Sequence, residues 1–471
     1  MQQSKLIDLM RKLSKAQVRY FERLLPALVP TQNNEIQRLY QFLARFAPKY
    51  SSPNLSREKV QASLNWKPKQ LTDRSSQLLQ LLGQCLVIEQ VMQNPTEQQL
   101  RLMNIFAGLG LDKHYQSAKR QAQRSLDVQK QRGPTHLLQT YRLHQLEALA
   151  QETYQRRHKP SLQLATDALD TFYLATKLGY LLEMTSAGQV LDIPYDLRLT
   201  AAVKEWARQA PFANHALIAL YRTTLQLIEK PQEEESFSEL QDLLIKHRKD
   251  IPEVILKNLY TYLLNYCTKK ITQDHDTHYY EHYLNINTKL IDEGLILENG
   301  RLLPWRFSNL ITVSLRTGRL EWARQFLERY RTYLPPEDNE NTYNYNLANC
   351  LYYEGQPDDA LLLLLQLDLR DPLLAIAAKN LTVKIHWETD QTELLLTFLE
   401  NYRLYIYRQQ LAKAHLKQQV KRFIDFTRRM AKIPAFAPEK FADLLEKLPA
   451  AGEIMEYDWL RAQVQDALRR K

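Results

Sequence analysis

The sequence contains too few cysteines and glycines for several common kinds of protein site. Its three cysteines, Cys85, Cys267 and Cys350, are far apart in 471 residues and match neither a metal-binding spacing nor a disulfide framework. Only 11 residues are glycine, and no phosphate-binding glycine loop, nucleophile elbow or cysteine–histidine nucleophile arrangement is visible. The cysteine usage indicates a reducing compartment, and the missing motifs argue against the corresponding classes of enzyme.

The sequence also lacks long apolar runs. Its N-terminus, MQQSKLIDLMRKLSKAQVRYF, has no apolar core of signal-peptide length. The most apolar stretch, LLLLLQLDL at residues 361–369, is much shorter than the roughly 20 residues that a membrane-spanning helix needs. We therefore expect a cytoplasmic protein without a membrane segment.

Strand-like alternation of apolar and polar residues is scarce, and the strongest pattern in the chain is a helical repeat. Five positions between residues 304 and 372 recur after 37 residues, and a weaker third copy follows. A repeat of this length indicates stacked helical units, so the sequence predicts an all-α fold. The recurring residues are Leu310, Gly318, Ala323, Leu327 and Pro335, then Leu347, Gly355, Ala360, Leu364 and Pro372, and in the third copy Leu381, Leu394 and Phe398.

Each clear copy has the residues that a pair of packed helices needs. Leu347 and Leu351 lie one turn apart on a first helix, and the small Ala360 on a second helix allows the two backbones to approach closely. Gly355 falls where a helix end favours positive φ, and we expect Pro372 to stop the second helix. One pair cannot bury its own apolar faces, so we expect the copies to stack.

Residues 341–372, NTYNYNLANCLYYEGQPDDALLLLLQLDLRDP, resemble a tetratricopeptide repeat. The preceding copy departs from that pattern at Ile311, where the family prefers a small residue, and the following copy lacks the glycine and the small alanine. The resemblance implies a TPR-like α-α superhelix, a right-handed solenoid of helical hairpins. Most of the chain also diffusely resembles a group of uncharacterised all-helical bacterial proteins, a resemblance that brings no known activity. The matching positions are Leu347, Ala348, Gly355, Ala360 and Pro372.

The predicted solenoid divides into four parts along the chain. Residues 1–93 form a basic N-terminal helical module, and residues 94–300 form divergent helical hairpins. Residues 301–406 contain the clearest repeats, and residues 407–471 supply a basic helix and a C-terminal cap. A polar cap is expected because the last repeat of a solenoid has no neighbour to cover its apolar face.

Charge is unevenly distributed, which supports an alternative function. Residues 1–160 contain 25 Lys or Arg and 11 Asp or Glu, residues 161–400 contain 23 and 34, and residues 401–471 contain 15 and 8. Basic ends and an acidic middle can attract nucleic acid, an acidic partner or another part of the same solenoid. The helices near the N-terminus faintly resemble those of winged-helix DNA-binding domains. The alternative is a nucleic-acid-binding regulator that uses the basic N-terminal 160 residues, with phosphate contacts from Arg57, Lys59, Lys67, Lys69 and Arg74.

A second alternative is a zinc-dependent hydrolase. The string HYYEH at residues 278–282 matches the inverted zinc-protease pattern, in which His278 and His282 bind zinc and Glu281 is the general base. Such a site also needs a third ligand and supporting contacts, which the sequence does not identify. We therefore expect no enzyme activity, no metal and no cofactor.

A partner-binding groove is the leading hypothesis. By the resemblance, the first helices of the repeats line a concave surface, where tyrosines, asparagines and an arginine suit an extended peptide or a helix. Asn346 matches an asparagine of domains that clamp C-terminal carboxylates, but Ser308 and Ile376 replace their lysines, which disfavours that clamp. Packing between hairpins is an equally supported role for several of these tyrosines.

The sequence thus predicts a non-enzymatic scaffold or adaptor that binds a protein or peptide. Its identity and the oligomeric state of this chain are not indicated. The residues expected to face the partner are Trp305, Thr312, Arg316, Thr342, Tyr345, Asn346, Asn349, Tyr352 and Tyr353.

Overall fold

The computed structural model describes residues 2–29, 34–154, 160–191, 193–272, 274, 276–337, 339–409, 414–434, 437 and 439–469. Within these ranges the regular elements are helices, and strand-like pairing is limited to isolated bridges between Glu298 and Arg301 and between Ala451 and Ile454. The predicted all-α class is confirmed. None of the described helices combines the length and apolarity needed to cross a membrane.

Twenty-three α-helices follow one another in the described residues. The first nine are α1 (Lys5–Lys12), α2 (Lys15–Leu28), α3 (Asn34–Ala44), α4 (Arg57–Leu64), α5 (Pro68–Met92), α6 (Pro95–Gly108), α7 (Asp112–Val128), α8 (Pro134–Tyr154) and α9 (Pro160–Leu191). The next seven are α10 (Thr200–Trp206), α11 (Ala216–Glu229), α12 (Glu235–Lys246), α13 (Glu253–Thr272), α14 (Tyr279–Asp292), α15 (Pro304–Arg316) and α16 (Leu320–Tyr330). The last seven are α17 (Asn339–Tyr353), α18 (Pro357–Leu365), α19 (Pro372–Glu388), α20 (Thr392–Arg408), α21 (Ala414–Ala431), α22 (Glu439–Glu446) and α23 (Tyr457–Arg469).

The chain forms two compact units. The first unit consists of Met1–Tyr180, Arg198–Ile218 and Lys249–Ile251. The second consists of Leu181–Leu197, Ala219–Arg248 and Pro252–Lys471. The division into four parts remains a prediction. The sequence repeats lie entirely within the second unit.

The first unit begins with five helices around a shared apolar core. Leu39 and Leu78 are fully buried in it, and Trp66 after α4 is 8% exposed. Local side chains define the helix starts: the Ser14 hydroxyl accepts from the Gln17 N–H at 3.2 Å, and the Gln17 side chain accepts from the Ser14 N–H at 3.0 Å. Such a reciprocal cap satisfies two backbone donors that a helix start leaves unpaired.

Three helix pairs of the second unit follow the sequence repeats. α15 contacts α16, α17 contacts α18, and α19 contacts α20. After α15 the Gly318 N–H donates to the Leu315 carbonyl at 3.1 Å and the Arg319 N–H donates to the Ser314 carbonyl at 2.8 Å. Gly318 has φ 75° and Gly355, at the next turn, has φ 77°, which favours glycine because a Cβ is strained there.

The third pair makes the same turn without glycine. Asp390 has φ 57°, and its N–H donates to the Trp387 carbonyl at 3.2 Å. The Gln391 N–H donates to the His386 carbonyl at 2.9 Å, as Arg319 does after α15. Aspartate tolerates the left-handed region better than most residues, so the backbone repeats although the glycine pattern does not.

Pro372 begins a helix, whereas the sequence predicted that it ends one. α18 already ends at Leu365, and Pro372 is the first residue of α19. The Asp371 side chain accepts from the Leu373 N–H at 2.9 Å and caps that helix. Proline fits the first helical position because the N–H that it lacks has no partner there.

The last five helices share a core that holds the segment before α23. Ile454 is 3% exposed and Leu460 is fully buried, so apolar contacts fix the chain on both sides of Glu456. Tyr402 is fully buried in the same core and donates its hydroxyl proton to Asn380 Oδ1 at 2.8 Å. The C-terminal segment is therefore positioned by packing.

Candidate functional site

The second unit contains a concave site of about 850 Å³, which we call the groove. Its walls come from the ends of α13, α15, α17 and α19, from the start of α14, from α21, and from the segment that leads into α23. The lining residues are Ile271, Thr272, Thr277, Tyr280, Arg316, Tyr352, Tyr353, Lys384, Glu388, Gln419, Gly452, Ile454, Met455, Glu456, Tyr457, Asp458 and Trp459.

Three equivalent positions of the repeats place side chains in the groove. Arg316, Tyr353 and Glu388 each stand two residues before the left-handed residue of a hairpin turn. The turns fix the last residues of α15, α17 and α19 in the same orientation relative to each hairpin. The repeat therefore supplies a cation, an aromatic ring and a carboxylate from successive helices.

Arg316 is held at the groove wall but keeps access to solvent. Its Nη1 donates to the Tyr280 hydroxyl oxygen at 2.9 Å, and its Nη2 lies 3.7 Å from Glu456 Oε2. The side chain is 37% exposed. A guanidinium has five N–H donors, so these two neighbours leave it able to bind a further acceptor.

Glu456 places a carboxylate between two cations. It forms ion pairs with Lys384 and Arg316, and its side chain is 18% exposed. Burial raises the pKa of this carboxyl, but the charges of Lys384 and Arg316 outweigh burial, so the pKa of Glu456 is lowered. The carboxylate is therefore charged at neutral pH.

Glu388 accepts hydrogen bonds from two other side chains that line the groove. It accepts from the Tyr352 hydroxyl at 2.7 Å and from the Trp459 indole N–H at 2.8 Å. The pKa of the Tyr352 hydroxyl is raised mainly by burial and, in second place, by the hydrogen bond to the Glu388 carboxylate. The tyrosine thus remains a neutral donor, and its ring orientation is fixed.

The structure brings three of the nine predicted partner-facing residues to the groove. Arg316, Tyr352 and Tyr353 line it, at the C-terminal ends of α15 and α17. Tyr345 is half-buried nearby, where burial raises the pKa of its hydroxyl to about 12 and the charges of Glu456 and Arg316 reach it. That these residues face a partner stays a prediction.

Other predicted residues lie inside the helix packing. Thr342 and Asn349 are 7% and 8% exposed, and Asn346 is fully buried. Asn346 Nδ2 donates to Ser308 Oγ at 2.8 Å and to the Thr342 carbonyl at 2.7 Å. α17 packs against both α15 and α19, and the hydrogen bond to Ser308 places Asn346 at the contact with α15.

Two predicted residues lie on α15 away from the groove lining. Trp305, at the start of the helix, is 52% exposed, and the Arg306 guanidinium carbon lies 5.4 Å from its ring centroid. Thr312 is half-buried. The groove is formed by the last turns of the first helices, whereas these two residues stand one or more turns earlier.

Sequence reasoning missed several of the residues that give the groove its charge. Lys384 and Glu388 come from α19, Glu456 comes from the segment before α23, and Trp459 comes from the first turn of α23. The repeat spacing could have identified Glu388 as a groove residue, since it stands 35 residues after Tyr353 at the equivalent position of the next repeat. No repeat spacing marks Glu456 or Trp459.

The five basic residues of the nucleic-acid alternative have two kinds of environment. Arg74 is half-buried, and its Nε lies 2.5 Å from Glu35 Oε2. This ion pair already neutralises its charge. The remaining four side chains are exposed: Arg57 and Lys59 lie on α4, Lys67 lies just before α5, and Lys69 lies on α5.

The HYYEH string lies at the start of α14. The ring centroids of His278 and His282 are 5.1 Å apart, and Glu281 forms an ion pair with Arg319. Burial and the neighbouring His278 lower the pKa of His282. In the part of the chain that the structure describes, no three His, Cys, Asp or Glu residues form a group that could hold a metal ion.

No known protein family, curated protein or solved structure matches this chain.

Proposed function

We propose that this chain is a cytoplasmic, non-enzymatic scaffold or adaptor with tetratricopeptide-like repeats, and that it binds a segment of a partner protein in the groove. The observation that carries the proposal is the convergence of Arg316, Tyr352 and Tyr353 from consecutive helix pairs on one concave site. Arginine and tyrosine are enriched at the centres of protein interfaces.

The size of the groove favours a peptide segment over a folded domain. The groove has a volume of about 850 Å³, within the roughly 300–1,000 Å³ typical of ligand pockets. A site of this size holds a few side chains. Tyrosine and tryptophan rings offer large contact areas at a small cost in side-chain entropy. Tyr352 and Trp459 are already oriented by their hydrogen bonds to Glu388, so binding does not have to order them.

A peptide selection tests the proposal directly. A phage-displayed library of random 12-residue peptides is selected against the full chain, and the affinities of the selected peptides are measured by fluorescence anisotropy. We expect Tyr353→Ala to weaken them about tenfold or more, because it removes a ring from the groove wall. The matched control is Tyr407→Ala, which removes an exposed tyrosine of α20 outside the groove lining. Equal affinities for wild type and Tyr353→Ala would contradict the proposal.

Nucleic-acid binding remains the second candidate, because four exposed cations lie on or beside α4 and α5. Its signature is binding of a DNA duplex by the full chain that falls steeply with salt. Replacing both Lys67 and Lys69 by glutamate should then weaken binding further, because both side chains are exposed. If this double substitution left DNA binding unchanged, the basic N-terminal module would not be the nucleic-acid site.

A further inference from the structure

The chain's own C-terminal segment forms one wall of the groove. Seven of its lining residues lie between Gly452 and Trp459, just before and at the start of α23. This segment is far in sequence from the repeats that form the other walls. Two of its side chains, Glu456 and Trp459, contact the walls formed by the repeats, through ion pairs and a hydrogen bond respectively.

The first contact is made by Glu456. Its carboxylate lies against Lys384 of α19 and 3.7 Å from Arg316 of α15, so one acidic side chain joins two helix pairs. The second contact is made by Trp459, whose indole N–H donates to Glu388 Oε1 at 2.8 Å. An acidic residue and an aromatic donor three positions later thus satisfy the charged groups of the groove.

The backbone at Glu456 adopts a conformation that most residues avoid. Glu456 has φ 54°, in the left-handed region where a side chain crowds the following carbonyl. Glutamate has no short side-chain bond that favours this region, as aspartate or asparagine does. The contact of its carboxylate with Lys384 and Arg316 offsets this cost.

Arg316 is the part of this contact that is open to another ligand. Its guanidinium is 3.7 Å from Glu456, beyond ordinary hydrogen-bond length, and the side chain is 37% exposed. A carboxylate that approaches through the groove can therefore reach the same cation. The charge of the groove wall suits an acidic group in place of Glu456.

We propose that the groove recognises a peptide segment with an acidic residue followed within a few positions by an aromatic residue, and that Glu456 and Trp459 occupy these positions in the free chain. This inference rests on the proposed function, and it adds the chemistry of the partner. The Glu456 carboxylate competes with the partner from within the same chain. Because a tethered group acts at a millimolar or higher effective concentration, the competition lowers the apparent affinity of the partner.

The chain itself supplies a defined probe. The peptide GEIMEYDW copies residues 452–459 and is capped at both ends and labelled with fluorescein. Its affinity is measured for the wild-type full chain and for Glu456→Gln. We expect Glu456→Gln to bind the peptide at least tenfold more tightly, because Arg316 and Lys384 lose their internal carboxylate. The peptide GEIMQYDW, which lacks the corresponding acid, should show no such gain.

A matched variant separates competition from a general effect of charge. Glu453→Gln removes a carboxylate from the same segment, but Glu453 pairs with Arg422 and does not line the groove. Its affinity for the peptide should equal that of wild type. Far-ultraviolet circular dichroism confirms folding, and if Glu456→Gln is unfolded, Glu456→Asp shortens the carboxylate and should still raise the affinity about threefold or more.

The outcomes distinguish this inference from the proposed function. Equal affinities of GEIMEYDW for wild type and for the folded Glu456 variant would overturn the inference, as would an equal gain for Glu453→Gln. If library peptides still depended on Tyr353 in that case, the groove would remain the binding site and only the acidic preference would be wrong. A tenfold gain confined to Glu456→Gln and to the acidic peptide supports the inference.

Discussion

At the scale of single residues, the groove depends on charges that are paired inside the protein. Lys384 is 12% exposed and Glu456 is 18% exposed, so both charges are largely removed from water. Removal of one partner from such a pair is costly because it leaves the other charge without compensation. Glu456 therefore contributes to stability as well as to the shape and charge of the groove.

We predict that Glu456→Gln lowers the free energy of unfolding by about 2 kcal/mol at pH 7. The folded-state pKa of Glu456 lies below the value of about 4.3 for an unfolded chain, so its charge stabilises the fold above that pH. The contribution is lost as the pH falls through the lower, folded pKa. The difference between variant and wild type should thus be constant from pH 7 to about pH 5 and shrink below about pH 4.

Urea unfolding followed by circular dichroism at several pH values measures this difference. Glu453→Gln is the control, since its pair with Arg422 is exposed and should contribute about 0–1 kcal/mol. A loss for Glu456→Gln that stays the same from pH 7 to pH 3 would show that the ionised carboxylate is not responsible.

At the scale of elements, the hairpin turns hold the groove residues in position. Each of the first helices, α15, α17 and α19, ends in a turn with one left-handed residue, two positions after a groove residue. Gly318 and Gly355 have open space where a Cβ would stand, so positive φ, and not crowding, explains the preference for glycine. The third turn accepts Asp390 for the same reason.

We predict that Gly355→Ala lowers the free energy of unfolding by about 1 kcal/mol, because alanine is strained at φ 77°. Gly83 provides a matched control inside α5, where it also has open space but helical backbone. Gly83→Ala should raise stability by up to about 1 kcal/mol, since alanine is the better helix former. The urea midpoints of unfolding of the two variants test the predicted loss of stability for Gly355→Ala and the predicted gain for Gly83→Ala. A loss of stability in both variants would contradict the backbone explanation.

The hairpins could be predicted from the sequence because their determinants are local. Glycine, alanine and leucine at fixed spacing specify a turn and two apolar stripes, and the pattern recurs within one stretch of chain. The exact helix ends were less predictable, as Pro372 shows, because proline suits both the end of one helix and the start of the next.

The site was predictable only where it belongs to the repeat. Arg316, Tyr352 and Tyr353 could be inferred because the repeating helices carry them. Asn346 was predicted to face a partner, whereas in the structure its side chain contacts Ser308 of α15. The repeat spacing does not encode which residues of α17 the neighbouring helix covers. Glu456 arrives from a distant segment, and a single acidic residue has no pattern that links it to Arg316.

At the scale of the whole molecule, the distribution of charge bears on the proposed binding of a partner. The chain is basic at both ends and acidic in its middle, and the groove combines two cations with carboxylates and several aromatic rings. In the proposed complex, such a surface would discriminate between partners by how well their charges match this arrangement. The segment before α23 gives the groove its internal acidic contact.

The most direct test of this account places a photoreactive side chain in the groove. Benzoylphenylalanine replaces Tyr353 in one full-length variant and Tyr407 in another, and each is irradiated with a peptide selected from the random library. Mass spectrometry then identifies the attached peptide. The account predicts cross-links from position 353, competition by excess unlabelled peptide, and none from position 407. Cross-links from position 407 alone, or equal yields from both positions, would contradict it.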